Sequence, residues 1–245
     1  MVRDYKQCPR LFYYRHILKL KLPQKQLNLL FGGAIHKGIE IFHNTKSLDA
    51  GLAAFRKEFD KNKLAEDEQH EYQPHLAEGE RILRRYVDAQ DYLRIVHGIS
   101  PEGVSEGYFK VNWTDPITGE KLELPITGII DRRVKSGQLI DFKTSSKSYK
   151  QKKADELDQA TIYSYSGEIL FGDPVKEFAY IVFVKKRKNP IQVVKTKRSK
   201  QDYSLMFKEM KSIIKSIKAK KFHRGCRGFQ AKWCDCRRYE EYLKI

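Results

Sequence analysis

The feature that most constrains the fold is a pair of strand-like segments joined by a very short turn. Residues 122–134 and 139–144 are rich in β-branched and apolar side chains, and Lys135-Ser-Gly-Gln between them is typical of a tight hairpin turn. The hairpin brings Asp131, near the end of the first segment, beside Asp141 on the second. Asp141 and Lys143 are two residues apart, so their side chains share one face of the strand. Two acids and a lysine are therefore predicted to converge.

Helical periodicity precedes this hairpin and returns after it, which predicts an α/β fold. We expect one domain over 1–245, with a helical part at 1–100, an α/β core at 101–197, and a basic helix with a cysteine-containing segment at 198–245. The expected helices are 4–16 with an interruption near Pro9, 31–43, 52–59, 75–97, 154–171 and 202–222, and the further strands are 105–113, 177–185 and an edge strand at 191–196.

The chain is strongly basic, with 48 Lys and Arg against 31 Asp and Glu and a formal charge of +17. The excess is concentrated: 16 basic and two acidic residues lie between positions 185 and 227, and eight basic and one acidic between 132 and 153. Tyr149, Tyr203, Phe222 and Phe229 are interleaved with them. Such stretches suit the phosphates and bases of a nucleic acid. A generally basic surface, or a basic helix lying on a membrane, is the alternative.

The predicted cluster of two carboxylates and a lysine suits phosphodiester hydrolysis. A hard divalent cation, Mg²⁺ or Mn²⁺, is normally held by carboxylates in such sites, with positions left for water and phosphate oxygens. A nearby ammonium group orients the attacking water or stabilises the charge of the transition state. We therefore assign these roles to Asp131, Asp141 and Lys143. An Asp-x-Lys tripeptide by itself is common, and an ordinary ion pair on a strand is its alternative interpretation.

Several segments in order resemble the PD-(D/E)XK nuclease superfamily, and most closely its RecB-like branch, which includes CRISPR-adaptation exonucleases. The resemblance is carried by Cys8-Pro-Arg-Leu-Phe-Tyr-Tyr-Arg15, Gly32-Gly-Ala-Ile-His36-Lys-Gly-Ile-Glu40, Gly128-Ile-Ile-Asp131 with Asp141-Phe-Lys143-Thr, Gln159-Ala-Thr-Ile-Tyr163, and the C-terminal cysteines. It implies a restriction-endonuclease-like core, a mixed sheet flanked by helices, with helical N- and C-terminal segments.

The resemblance also implies roles for single residues. His36 and the backbone carbonyl of Phe142 would join Asp131 and Asp141 as metal ligands, and Lys143 would be the catalytic lysine. Gln159 and Tyr163, four apart on one helical face, would contact substrate or support the lysine. Glu40 would support the site from behind the ligands, and Glu106 is a weaker candidate near the metal. For His36, Gln159 and Tyr163 an ordinary structural role in the core is the alternative.

The four cysteines match the layout of the family's iron–sulfur subgroup, which has one cysteine before the nuclease motifs and three after them. By this resemblance Cys8, Cys226, Cys234 and Cys236 would hold a 4Fe-4S cluster through their thiolates. The spacing Cys-x₇-Cys-x-Cys departs from the family's usual Cys-x₂-Cys followed by a longer gap. A single tetrahedral Zn²⁺, for which a Cys-x-Cys pair is tight, and free buried cysteines are the alternatives.

The function implied is a metal-dependent deoxyribonuclease, an exonuclease acting on single-stranded DNA or DNA ends in repair, recombination or CRISPR adaptation. A non-catalytic nucleic-acid-binding or assembly subunit that keeps the nuclease fold is the rival interpretation. The sequence has no Gly-x₄-Gly-Lys-Ser/Thr phosphate loop, so DNA unwinding would need a partner such as a helicase, and CRISPR adaptation proteins are the other expected partners. We expect the protein to be cytoplasmic, and we expect no association with a membrane.

Overall fold

The structure is a computed structural model that describes residues 2–22, 26–186, 190–226 and 234–244, apart from the side chains of Arg3 and Glu106. The chain divides into two compact units. The smaller comprises Met1–Gln24 and Phe207–Ile245, and the larger Lys25–Met206. That the whole chain acts as a single nuclease domain stays a prediction.

The larger unit contains a five-stranded mixed sheet with helices before, within and after the strand sequence. Its helices are α3 (Leu27–Thr45), α4 (Leu48–Glu58), α5 (Tyr72–Asp88), α6 (Gln90–His97), α7 (Gln151–Glu156) and α8 (Asp158–Phe171), and its strands are β1 (Gly103–Val111), β2 (Ile126–Val134), β3 (Gln138–Ser145), β4 (Glu177–Val184) and β5 (Ile191–Thr196).

The strand order is β1-β2-β3-β4-β5, so the predicted edge position of the last strand is confirmed. Neighbouring strands are antiparallel except β3 and β4, which run parallel and are connected through α7 and α8. A parallel pair needs such a helical crossover. The result is the mixed sheet with flanking helices expected for the restriction-endonuclease-like fold.

Both faces of the central strands are buried. One core cluster packs α3, α4 and α5 against Ile140, Phe142 and Ile181, and the other packs α7 and α8 against Leu139 and Tyr180. Burial on both faces explains the almost continuous apolar sequence of β4. Because side chains alternate, Asp141 and Lys143 lie on the Leu139 face, towards α8, while Phe142 points towards α3.

A close approach of two helices positions α3, which carries His36. A Cβ added at Gly51 of α4 would lie 2.8 Å from the carbonyl oxygen of Gly38 in α3, and one added at Gly38 would lie 3.1 Å from that of Gly51. Side chains of ordinary size therefore cannot replace either glycine without moving the helices. The glycine of the Gly-Ile-Glu segment thus has a packing role.

The smaller unit contains α1 (Val2–Gln7), α2 (Pro9–Phe12), a π-helical turn at Tyr13–Ile17 and α10 (Cys236–Leu243). A further helix, α9 (Lys200–Lys218), begins in the larger unit and ends in the smaller one. α10 was not predicted, because its buried side chains are Cys236 and Tyr239 rather than a stripe of aliphatic residues. None of the helices in the described parts of the chain is long and apolar enough to cross a membrane.

Several predicted boundaries differ from the structure. The helix expected at 75–97 is two helices that meet at Ala89, and the helix expected at 154–171 is interrupted at Leu157. β2 begins at Ile126 rather than Leu122, because Pro125 has no N–H for the strand ladder. α9 ends at Lys218, before Lys220 adopts a left-handed conformation with φ of 53°.

Candidate active site

The site forms where two adjacent strands separate. β2 and β3 pair at Arg132 with Ile140 and at Arg133 with Leu139, next to the hairpin turn, and no further pair joins the described lengths of these strands. β3 by contrast pairs with β4 from Gln138 to Ser145. Phe142 therefore has no ladder partner among the described residues of β2, and its backbone N–H donates to Asp131 Oδ2 at 2.9 Å instead. The carboxylate thus takes the place of a strand partner.

His36 of α3 lies beside this gap and contacts residues of both strands. Its Nε2 lies 2.8 Å from the carbonyl oxygen of Phe142, and its Nδ1 lies 3.2 Å from Asp131 Oδ2. Both neighbours are acceptors, so a doubly protonated ring satisfies both contacts. Burial lowers the pKa of His36, but the hydrogen bond and charge of Asp131 outweigh it, and the net pKa is raised. Asp131, His36 and the Phe142 carbonyl therefore form one connected group.

Asp141 is fully buried and is held from two directions. Its Oδ1 accepts a hydrogen bond from Gln159 Nε2 at 2.5 Å, and its Oδ2 lies 2.7 Å from Lys143 Nζ. The contact with Lys143 is an ion pair without the alignment of a hydrogen bond, so Oδ2 has no aligned donor. Burial and the charge of Asp131 raise the pKa of Asp141 to about 7, against the attraction of Lys143. A further cation beside this carboxylate would favour its charged form.

Gln159 connects this acid to the lysine. Its side-chain oxygen accepts a hydrogen bond from Lys143 Nζ at 2.8 Å while its nitrogen donates to Asp141. α8 presents Gln159 to the face of β3 on which both residues lie. One amide therefore fixes the acid and the ammonium group in a single arrangement.

Three other residues were predicted to lie at or near the site. Tyr163, one turn after Gln159, packs with its ring against those of Phe109 and Phe178, at centroid distances of 5.6 and 6.3 Å. Glu40, one turn after His36, accepts from Lys37 Nζ at 2.7 Å. The side chain of Glu106 lies outside the described residues, although its backbone belongs to β1. The supporting roles of Tyr163 and Glu40 stay predictions.

Lys153 is a neighbour of the site that was not singled out from the sequence. Its Nζ lies 3.6 Å from the centroid of the Tyr149 ring, a cation–π contact. Burial and the charge of Lys143 lower its pKa. The sequence shows a high density of basic residues at 132–153, but this density does not indicate which lysine lies near Lys143.

The donors beside the opening between β2 and β3 fit a hard divalent cation. Two carboxylates, an imidazole and a backbone carbonyl are suitable ligands for Mg²⁺ or Mn²⁺, and Asp141 Oδ2 is a buried oxygen without an aligned donor. Asp141 faces Gln159 and Lys143, however, and the side chains of His36, Asp131 and Asp141 do not form a close ligand group among the described residues. A cation held by all three side chains would therefore require them to lie closer together than they do here.

The four cysteines form a second group in the smaller unit. Their Sγ atoms all lie within 4.8 Å of one another. Among the described residues, these four form the one group of three or more His, Cys, Asp or Glu side chains close enough to hold a metal ion. All four are buried and none is in a disulfide. The structure therefore brings together the one-plus-three set that the sequence predicted.

A cleft in the smaller unit combines basic and aromatic side chains. The rings of Tyr13 and Phe222 have centroids 5.1 Å apart. The cleft is lined by Arg10, Tyr13, Lys220, Lys221, Phe222 and His223. Phe222 was predicted in this role from the C-terminal basic stretch. Phe229, also predicted, lies outside the described residues.

The strand order, the opening between β2 and β3, and the acids and lysine at that opening define the class of nuclease folds with a PD-(D/E)XK core. The family model of the PD-(D/E)XK nuclease superfamily matches residues 1–239, and the chain belongs to this superfamily.

One solved structure agrees at the level of the fold. A candidate exonuclease from Eubacterium rectale superposes with a TM-score of 0.58 at 15% sequence identity, over 91% of this chain and 82% of that one. The protein SSO0001 covers 88% of this chain and 87% of its own at 11% identity, but its TM-score of 0.32 carries no structural argument. A search of curated proteins finds no significant sequence match.

Proposed function

We propose that this protein is a metal-dependent deoxyribonuclease with Asp131, Asp141 and Lys143 at its catalytic centre. The observation that carries the proposal is the joint position of these groups: the side chains of Asp141 and Lys143 are 2.7 Å apart on one strand, and Asp131 crosses the gap from the next. A merely structural ion pair needs neither the second acid nor the opening of the strands.

In the proposed site, Asp131, Asp141, His36 and the carbonyl of Phe142 would hold Mg²⁺ or Mn²⁺. Such a cation, when bound, stabilises negative charge on the phosphoryl oxygens and lowers the pKa of bound water. Lys143 then orients the attacking water and stabilises the charge that develops as an O–P bond forms and the bond to the sugar oxygen breaks. Gln159 holds Lys143 and Asp141 in position for this step, in which the attacking water loses a proton to solvent and the leaving sugar oxygen takes one up from solvent.

DNA is the proposed substrate because the chain carries a formal charge of +17 and a cleft with both phosphate-binding and stacking side chains. Within this proposal the enzyme acts as an exonuclease on single strands or DNA ends. The segments around Cys8, His36 and Gln159 support a place in the RecB-like branch. A helicase or CRISPR adaptation proteins, in repair, recombination or CRISPR adaptation, are then the proposed partners.

The test is cleavage of linear and circular single-stranded DNA, and of duplex DNA, with Mg²⁺, Mn²⁺ or EDTA. We expect metal-dependent cleavage of linear strands, with circles resistant if the enzyme needs an end. Lys143→Ala is the test variant and Lys147→Ala, an exposed lysine four residues later, is the matched control.

The rival function is a binding or assembly subunit that retains the fold without turnover. It predicts that the wild-type protein binds DNA but leaves every substrate intact with either metal. Equal activity of the wild-type and Lys143→Ala proteins would instead mean that cleavage arises elsewhere and that the assigned centre is wrong.

A further inference from the structure

The sulfur atoms of the four cysteines lie close enough together to bind a common ion. Cys226 Sγ is 3.9 Å from Cys8 Sγ and 3.2 Å from Cys236 Sγ, and all four sulfurs lie within 4.8 Å of one another. The Cys-x-Cys pair, which looked too tight for one ion in the sequence, lies on a turn that leads into α10. This turn directs both thiols to the same point as Cys8 and Cys226.

The surroundings of these sulfurs suit thiolates that share a cation. The backbone N–H groups of Leu11, Gly225 and Cys226 donate hydrogen bonds to the Cys8 sulfur. All four sulfurs are buried, so thiolates packed this closely need a positive ion among them.

A charged side chain stands at the edge of the same group. The guanidinium of Arg224 interacts with the sulfurs of Cys226 and Cys236 and forms an ion pair with Glu240 at 2.6 Å. Four thiolates around a divalent ion carry a net charge of about −2, which Arg224 partly balances. Such hydrogen-bonded neighbours are typical of metal-bound cysteines.

Distance distinguishes the possible occupants. Four sulfurs at about 2.3 Å from a tetrahedral zinc ion lie about 3.8 Å apart, and the spacings here fall on both sides of that value. In a 4Fe-4S cluster each cysteine binds a different iron at a separate corner of a cage, so the sulfurs are spread farther apart. A disulfide requires about 2.05 Å, well below the 3.2 Å between Cys226 and Cys236.

We propose that Cys8, Cys226, Cys234 and Cys236 bind a single tetrahedral zinc ion rather than the 4Fe-4S cluster implied by the resemblance to the iron–sulfur subgroup. The ion joins the start of α2 to the start of α10, more than 200 residues apart in the chain. Its role is structural, because each of its four ligands is a protein side chain and no position is left for a substrate or water.

The test is the metal content of the full-length protein, expressed in medium containing both iron and zinc and purified without oxygen. The sample is washed with EDTA to remove weakly bound ions, and zinc, iron and acid-labile sulfide are then measured per chain. We expect one zinc per chain, with iron and sulfide at background. Iron and sulfide in equal amounts, near four of each per chain, would overturn the proposal in favour of the cluster. Metal-free protein would overturn it in favour of free thiols.

Variants locate the ion. Cys236→Ser is expected to lose the zinc, whereas Asp131→Ala, which removes a proposed ligand of the other metal site, is expected to retain it. If Cys236→Ser does not fold, a mercurial reagent titrated into the wild-type protein gives the same information. It should release one zinc ion as the four thiols react, and release at a different thiol count contradicts a tetrathiolate site. These results do not depend on nuclease activity.

Discussion

Asp131 accepts a hydrogen bond from the backbone N–H of Phe142, with Oδ2 2.9 Å from the nitrogen, at the point where β2 and β3 cease to pair. The same carboxylate lies 3.2 Å from His36 Nδ1. One side chain therefore completes a strand edge, orients a histidine and supplies a charge beside Asp141. β2, β3 and α3 are joined through it, which explains why the proposed centre contains residues from distant parts of the sequence.

Gln159 is predicted to support catalysis through position rather than through direct chemistry. Replacing it with alanine removes the bond to Asp141 at 2.5 Å and the bond to Lys143 at 2.8 Å. We expect kcat to fall about 10- to 100-fold, as for other groups that orient metal ligands. Gln159→Glu should be worse, because it places a third carboxylate against the buried Asp141.

Steady-state cleavage of labelled DNA checks this prediction, with Gln151→Ala as the control. Gln151 is an exposed glutamine of α7 that bonds Asp155 and the carbonyl of Lys195. Equal rates for Gln159→Ala and the wild-type protein would show that the amide does not position the catalytic groups.

Metal binding is predicted to release protons from two residues. Asp131 raises the pKa of His36 against the effect of burial, and burial raises the pKa of Asp141 to about 7, so protons compete with a cation at both groups as the pH falls. A cation held by His36 and Asp141 would displace those protons. The apparent affinity for Mn²⁺ should therefore rise with pH, by up to about tenfold per unit for each proton released.

Calorimetry in buffers of different ionisation enthalpy counts the protons. His36→Ala should bind Mn²⁺ at least about tenfold more weakly and release fewer protons than the wild-type protein at the same pH. His97→Ala, which removes a histidine that contacts Tyr92, is the control. Unchanged proton release in His36→Ala would mean that His36 is not a ligand.

Asp141→Asn is predicted to abolish cleavage and yet to stabilise the protein in EDTA. The pKa of Asp141 in the folded chain, about 7, lies above the value of about 3.9 expected in the unfolded chain. The stabilising effect of the protonated group is therefore complete below about pH 4 and is lost as the pH rises to 7. The asparagine cannot ionise and avoids this loss.

Thermal unfolding between pH 5 and pH 8 measures the effect. At pH 8 the asparagine variant should unfold at a higher temperature than the wild-type protein. Its free energy of unfolding should be larger by an amount on the order of a few kcal/mol, and this difference should shrink towards pH 5. Asp155→Asn provides the contrast, because hydrogen bonds from Thr196 and Gln151 lower the pKa of that carboxyl. A less stable Asp141→Asn protein at pH 8 would show that the ion pair with Lys143 outweighs the burial of the acid.

The basic cleft is predicted to bind the phosphates of a single strand. Arg10→Glu and Lys220→Glu should weaken DNA binding. The slope of log affinity against log salt concentration should also become shallower, by about 0.7 for each phosphate that is no longer bound. Lys57→Glu, an equal change of charge on exposed α4, is the control. Fluorescence anisotropy across a salt series distinguishes them, and equal effects of all three variants would indicate net charge rather than a cleft.

Features that depend on local periodicity and strand geometry could be predicted from the sequence. The hairpin at 135–138 and the shared face of Asp141 and Lys143 depend on residues close together in the chain, and both are present. The interruption at Leu157 was missed because its cause is distant: Arg198 donates to the carbonyls of Ala154, Asp155 and Leu157, at 3.1, 2.9 and 3.3 Å, and so holds the turn between α7 and α8.

In the candidate site, too, some contacts could be predicted from the sequence, and those that depend on long-range packing could not. The motifs predicted that His36 lies beside Asp131 and Gln159 beside Lys143, but not that Gln159 bonds both Asp141 and Lys143, because that depends on how α8 packs on the sheet. Arg10 and Tyr13 could not be assigned to a cleft, since their partners Lys220 and Phe222 are more than 200 residues away in the sequence. Long-range packing, rather than propensity, decides these contacts.

The most direct test of the central claim is a single-turnover cleavage assay of end-labelled single-stranded DNA with Mn²⁺, comparing the wild-type, Asp131→Ala, Lys143→Ala and Lys147→Ala proteins, with DNA binding measured in parallel. We predict that the wild-type and Lys147→Ala proteins cleave. The other two should lose at least about a thousandfold in rate while still binding DNA, and EDTA should stop all cleavage. Cleavage by Asp131→Ala and Lys143→Ala at the wild-type rate would contradict the proposed centre.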